Sequence, residues 1–243
     1  MSIDAGQFER ERGISFMKIT YLGHSALLVE AEGKSVIIDP FLTGNPNSEV
    51  KPADIRVDAV LLTHAHNDHF GDTIGIAKAN DCPVVAPVEL ANYCMEQGVK
   101  TVGMNIGGSH QLEGIKVKYT LAFHSSSLTV DDKVIYGGEP AGILLTMGGK
   151  TLYHAGDTAL FGDMKIIGEL NNIDIAALPI GDFFTMGPED ALIAAKWVGA
   201  PKVLPLHYNT FPAIEQDVEA FCANLKEAGI EGIALQSKES LEV

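Results

Sequence analysis

The chain has 243 residues, 46% hydrophobic and 20% charged, which suits one large soluble domain with a substantial buried core. Acids outnumber bases 32 to 17, for a formal net charge of −15, whereas a surface built for nucleic acid or an anionic membrane needs the reverse. No apolar run approaches the roughly 20 residues of a membrane helix, and the polar start Met1-Ser2-Ile3-Asp4 is no secretory signal, so a cytoplasmic location is expected.

Residues 1–16 read as a polar extension and 17–243 as a single domain, with Met17 a candidate natural start. Short β-rich runs follow at Lys18–Leu22, Ala26–Glu30 and Ser35–Asp39, broken at Gly23 and Gly33. Val57–Thr63 is nearly continuous in apolar residues, the pattern of a strand buried on both faces. Then come a helix at Asp72–Asn80, a strand at Pro83–Ala86, a helix at Glu89–Gln97 and a strand at Thr101–Met104. Further strands are expected at Ile115–Ala122, Gly142–Met147, Thr151–His154 and Val203–Leu206. A helix at Pro188–Val198 is marked by Pro188 at its first position, Glu189 and Asp190 in its first turn and Gly199 after its end; another spans Glu215–Ala228 and stops at Gly229. No linker, repeat or low-complexity tract interrupts this order, so the reading is one α/β domain with helices outside central sheets.

The chemistry concentrates after Val57–Thr63, in His64-Ala65-His66-Asn67-Asp68-His69. Imidazole nitrogens and carboxylate oxygens are ligands of zinc and similar first-row ions. One turn cannot aim all four side chains at a single ion, so the spacing suggests two neighbouring ions. Further ligands are expected at other strand ends, where α/β proteins place their sites. His124 follows Ile115–Ala122, Asp157 lies in His154-Ala155-Gly156-Asp157-Thr158, and His207 ends Val203–Leu206. Cys82, Cys94 and Cys222 have no ligand spacing and read as reduced structural thiols.

His64-x-His66-x-Asp68-His69 with His124, Asp157 and His207 resembles the complete ligand set of the metallo-β-lactamase fold. The resemblance runs from Met17 to the C-terminus. Within that superfamily the chain is similar to the UPF0173 group of metal-dependent hydrolases, through Tyr21-Leu22-Gly23-His24-Ser25, Ile38-Asp39-Pro40-Phe41-Leu42, Pro140-Ala141-Gly142-Ile143-Leu144-Leu145, Phe184-Thr185-Met186-Gly187-Pro188-Glu189-Asp190-Ala191 and His207-Tyr208-Asn209-Thr210-Phe211-Pro212. The resemblance implies a four-layer αβ/βα sandwich with the metal site at one edge of two sheets. It implies that His64, His66 and His124 hold one ion, that Asp68, His69 and His207 hold the other, and that Asp157 bridges them. Phe183 departs from the pattern, since Asn is expected there in much of the group.

Two divalent ions, with zinc expected first and manganese or nickel as alternatives, lower the pKa of a water from about 15.7 toward 7 and polarise the bond under attack. Asp68 is the candidate that orients the attacking water. His24 reads as a substrate-facing group or a support for the ligands, with a core histidine as the alternative. Asp39 reads as a carboxylate supporting a ligand imidazole, with a turn residue before Pro40 as the alternative. Tyr208 and Asn209 are candidate pocket-lining residues, His154 reads as packed, His110 as exposed in a glycine-rich turn, and Trp197 and Met164 as helix core.

The expected function is hydrolysis of an ester, lactone, amide or phosphodiester bond in a small molecule. A nuclease of the same fold is the alternative, disfavoured by the net charge of −15. A redox or purely metal-binding protein is the second alternative. Di-iron members of the superfamily carry a carboxylate within the first motif where this chain has His66. A homo-oligomer is compatible with everything above.

Overall fold

The computed structural model describes residues 16–243, so all of the extension except Phe16 lies outside the described residues. Alternation of buried and half-buried positions in Lys18–Tyr21 (β1) and Leu27–Ala31 (β2) gives each strand one core face, and the two pair antiparallel with Ile19 opposite Val29. Lys34–Ile38 (β3) continues the meander, and Ala59–Leu61 (β4), Val84–Pro87 (β5) and Thr101–Met104 (β6) then run parallel to it. Helices Asn67–Phe70 (α1), Thr73–Asn80 (α2) and Val88–Glu96 (α3) fill the crossovers.

Ser109–Leu112 (β7) and Ile115–Leu121 (β8) open a second sheet. A separate hairpin of Ser127–Val130 (β9) and Lys133–Tyr136 (β10) projects before Ala141–Met147 (β11), which pairs antiparallel with β8. Lys150–His154 (β12), Ile175–Pro179 (β13), Lys202–Leu206 (β14) and Glu231–Gly232 (β15) finish the sheet in parallel, with Met164–Leu170 (α4), Pro188–Val198 (α5) and Val218–Glu227 (α6) covering its outer face. Ser240–Glu242 (β16) returns to the first sheet beside β1. Two seven-stranded sheets result, in orders β16-β1-β2-β3-β4-β5-β6 and β15-β14-β13-β12-β11-β8-β7.

Three apolar layers bind this arrangement. Ile19, Val29, Ile38 and Leu61 from the first sheet meet Val117, Ile143, Leu145 and Leu204 from the second. Leu178, Ala191, Ala195 and Phe221 join the second sheet to its helices, and Val60, Ile76, Leu90 and Ala91 do the same for the first. Burial of this kind contributes roughly 25 cal/mol per Å² of apolar surface. Polar ties also cross between the sheets, among them one from a fully buried side chain. Buried Tyr119 on β8 directs its hydroxyl at Leu62 O (2.8 Å) and Val85 O (3.1 Å) of the first sheet. Tyr119→Phe should therefore lower unfolding stability by about 1–3 kcal/mol, because the carbonyls lose a buried donor. A urea midpoint unchanged from wild type would show that this tie contributes nothing.

Several elements differ from their sequence-based bounds. The expected helix Glu215–Ala228 begins only at Val218, because a 3-10 turn occupies Pro212–Ile214 and Asp217 caps the helix through Ala220 N at 3.0 Å. The Val57–Thr63 run is a strand only at its centre, since Val57 N turns to Asn80 Oδ1 and Thr63 to Asp39. His110 is not an exposed turn residue; it is half-buried on edge strand β7, paired opposite Val117. His154 and Met164 are buried as expected, Trp197 is half-buried under the Lys165 ammonium, and the three cysteines are unpaired. Among the described residues no helix is long and apolar enough to cross a membrane.

Candidate metal centre

The parallel strands of both sheets point their carboxyl ends at the same edge, and the segments leaving them carry the polar side chains. Asp39 follows β3, His64–His69 follow β4, Asp157 follows β12, and His207 follows β14, while His124 comes from beyond β8. This edge is the crevice that open parallel sheets offer to ligands. His24, Asp39 and His207 all hold positive φ (58°, 45° and 54°). Left-handed backbone is costly for such residues and gathers at functional sites. Gly156 has φ 64°, and a Cβ there would press on Ala141 O and the Thr63 side chain, so only glycine lets Asp157 approach β4.

Asp157 sits at the middle. Its Oδ2 lies 3.0 Å from His207 Nε2, 3.2 Å from His69 Nε2, 3.6 Å from His124 Nε2 and 4.0 Å from His64 Nε2. His66 Nδ1 stands 3.0 Å from His64 Nε2 and 3.2 Å from His124 Nε2. Asp68 Oδ2 is 3.8 Å from His207 Nε2. All seven residues singled out as ligand candidates thus converge.

The protonation of these rings follows from their neighbours. Asp39 Oδ1 accepts from Thr63 N (2.8 Å), and Oδ2 accepts from the Thr63 hydroxyl (2.6 Å) and from His69 Nδ1–H (2.8 Å). With its proton given to Asp39, the Thr63 oxygen, 2.9 Å from His64 Nδ1, must accept there. His64 and His69 therefore each carry the proton on Nδ1 when neutral and turn a bare Nε2 inward. His24 is supported on one side by Thr210 Oγ1 at 2.8 Å from Nδ1 and reaches Asp68 Oδ2 at 3.2 Å with Nε2. A carboxylate can only accept, so His24 donates through Nε2 and takes the Thr210 proton on Nδ1.

Burial holds the pKa of His24 down to about 4, with the His207 ring beside it adding to the effect. Burial likewise pushes His64, His66 and His124 down. His69 moves the other way, because Asp157 and Asp39 outweigh its burial. Asp157 stays well below the usual carboxylate range despite its burial, held there by His207 and His69.

These residues fit a pair of cations. Tetrahedral ligands about 2.0–2.1 Å from zinc stand roughly 3.3 Å from one another. His66 Nδ1 stands at about that spacing from His64 Nε2 and His124 Nε2, at 3.0 and 3.2 Å. His69 Nε2 and Asp157 Oδ1 are buried without a hydrogen bond, which is costly for polar atoms unless something else binds them. His64, His66 and His124 form one group able to hold an ion, and His24, Asp68, His69 and His207 form a second.

Other expectations meet different fates. Asp39 lies 2.8 Å from the candidate ligand His69, and His24 is fully buried, hydrogen-bonded to Thr210 and Asp68, so it does not face a substrate. Tyr208 does not line the site; it is buried in the helix-side core of the second sheet. Asn209 pins its own loop, accepting from Gln216 N at 2.7 Å and donating to Gln216 O at 3.2 Å. Thr63 had no signal in the sequence, because a threonine closing an apolar strand is ordinary β composition. His154 bridges two site loops, donating to Ser25 O at 3.0 Å and accepting from Gly156 N at 3.1 Å.

Known proteins resemble this chain over most of its length. The family model of the beta-lactamase superfamily domain matches residues 34–208, a span that contains all seven converging residues. A UPF0173 metal-dependent hydrolase of Bacillus cereus is 58% identical over 227 residues, covering 93% of this chain and 99% of that protein. Among solved structures, the metallo hydrolase Igni18 of the hyperthermophilic archaeon Ignicoccus hospitalis has TM-score 0.85 and 37% identity, covering 94% of this chain and 98% of that one. The isothiocyanate hydrolase from Delia radicum gut bacteria shares the fold, with TM-score 0.71 and 22% identity over 92% of this chain and 98% of its own.

Proposed function

The chain belongs to the beta-lactamase superfamily and, within it, to the UPF0173 metal-dependent hydrolases, and on that premise we propose that it cleaves an ester, lactone, amide or phosphodiester bond of a small molecule at a centre of two divalent cations. The observation that carries the reading is one buried carboxylate oxygen, Asp157 Oδ2, within 3.0–4.0 Å of four imidazole nitrogens. His64, His66 and His124 would hold one cation, Asp68, His69 and His207 the other, and Asp157 both. Such ions, zinc before manganese or nickel given the imidazole-rich set, supply a nucleophilic water at neutral pH and Lewis-acid polarisation of the substrate.

The chain's own groups do the rest. Asp39 and Thr63 keep His64 and His69 in the tautomer that can ligate. His24 fixes the Asp68 carboxylate, whose side chain is 31% exposed and so remains reachable from solvent. In this reading Asp68 orients the attacking water. Burial of His24, His69 and Asp157 excludes competing water from the ligand side.

Elemental analysis of freshly purified protein tests this directly. About two equivalents of a divalent metal per chain are expected, with a clear decrease in His66→Ala. Less than about half an equivalent after supplementation would remove the two-cation reading.

A further inference from the structure

Large apolar side chains on a soluble protein's surface are informative when they cluster. Four aromatic residues are exposed among the described residues: Phe123 (55%), Tyr136 (61%), Phe183 (72%) and Phe184 (53%). Phe123, Phe183 and Phe184 lie on segments tied to the metal centre, whereas Tyr136 lies on the β9–β10 hairpin. Phe123 immediately precedes His124, with its ring centroid 5.5 Å from that of Phe161. Phe183 and Phe184 occupy the loop between β13 and α5, with ring centroids 4.8 Å apart.

That loop is fastened to the site. Met186 N donates to Thr158 O at 3.0 Å, next to Asp157, and Phe123 N donates to Thr158 Oγ1 at 2.9 Å, so Thr158 ties the two aromatic segments together. At the loop's other end Gly181 abuts the His207 backbone, where a Cβ would meet His207 O. Asp182 then takes φ 67° and Thr185 N donates to its carbonyl at 2.7 Å, a tight turn that leaves Phe183 and Phe184 at its exposed crown. The rings are exposed while their backbone is held in place.

We propose that Phe123, Phe183 and Phe184 form an aromatic wall that selects substrates carrying a planar apolar group, an aryl ring above all, beside the bond cleaved. The proposal rests on the metal-hydrolase reading and adds the substrate class to it. Continuity with the centre favours a small-molecule occupant: Phe123 adjoins His124, and the Phe183–Phe184 loop is bonded next to Asp157 and abuts His207. Rings that stack or pack edge to face contribute beyond their buried area. Phe183 is then the position where this chain exchanges the amide expected in its group for an aromatic surface.

A pair of metal-binding hydroxamates separates the wall from the centre. Acetohydroxamate and benzohydroxamate present the same chelating group, and only the second carries a ring. Calorimetric titration of metal-loaded protein should show benzohydroxamate binding about five- to tenfold tighter than acetohydroxamate. In Phe183→Asn combined with Phe184→Ser the ratio should fall to near one, while acetohydroxamate affinity and metal content stay at their wild-type values. Equal binding of the two by the native protein would overturn the wall with the metal centre intact. Binding of neither, by protein that takes up no metal on supplementation, would overturn the hydrolase reading and the wall with it. Sedimentation of the same variants identifies the rival occupant: a lower oligomeric state, with no change in the hydroxamate ratio, would assign the rings to contact with a second copy and overturn the proposal.

Discussion

Asp157→Ala should bring metal content from about two equivalents to one or fewer and turnover down by about 10³-fold or more, since loss of Lewis-acid assistance is worth several kcal/mol and each 1.36 kcal/mol is tenfold. The reason is positional. Its Oδ2 is the one atom close to Nε2 of His64, His69, His124 and His207 at once, at 3.0 to 4.0 Å. No second carboxylate can take over, because Asp39 is already committed to Thr63 and His69 Nδ1, and Asp68 groups with His24, His69 and His207 and not with His64 or His124. The variant also removes a negative charge that raises the His69 pKa. Elemental analysis with steady-state assay on one responsive ester checks both parts. Retention of two equivalents by the folded variant would show that the cations do not share this carboxylate.

The second large effect comes from a residue not itself among the seven. Asp39→Asn changes one atom, and asparagine tolerates the left-handed backbone at this position. Hydrogen-bond polarity inverts all the same. If the new carbonyl keeps the bond from Thr63 N, the new amide presents protons to Thr63 Oγ1 and His69 Nδ1, which face Asp39 Oδ2 at 2.6 and 2.8 Å. Thr63 must then give its own proton to His64 Nδ1, and both rings are driven to carry hydrogen on Nε2, the atom needed for the metal. Metal affinity should fall about 10- to 100-fold, the usual scale for a partner that orients a ligand. Competition against a chromophoric chelator measures it, and circular dichroism verifies the fold. Affinity within about twofold of wild type would show that tautomer control through Asp39 is not what prepares the ligands.

Much of this site was legible before any coordinates, for a physical reason. Histidine is uncommon enough that three within six residues after an apolar strand suggest coordination, and His124, Asp157 and His207 stood at strand ends where parallel sheets gather their sites. The helix Pro188–Val198 was bounded correctly because proline, acids and glycine marked both ends. Other features had no local signature. Strand β10 is largely exposed along its length, so no alternation betrays it, and the β9–β10 hairpin is anchored by a tertiary pair of bonds from Asn67 to Thr129 (3.1 and 3.3 Å). The Thr63 relay depends on a partner 24 residues away, which spacing along the chain does not announce. Tyr208 follows a site histidine but points into the helix-side core.

The origin of the seven residues has a cellular consequence. His64, His66, Asp68 and His69 hang from the first sheet, while His124, Asp157 and His207 hang from the second. A pair of cations held by both sets would act as a rivet between two leaves that otherwise cohere by apolar contact and a few hydrogen bonds. Any ligand confined to the native state raises its population by mass action. The lifetime of the chain against proteases would then follow the supply of metal, and starvation for that metal would thin the pool of protein as well as silence it.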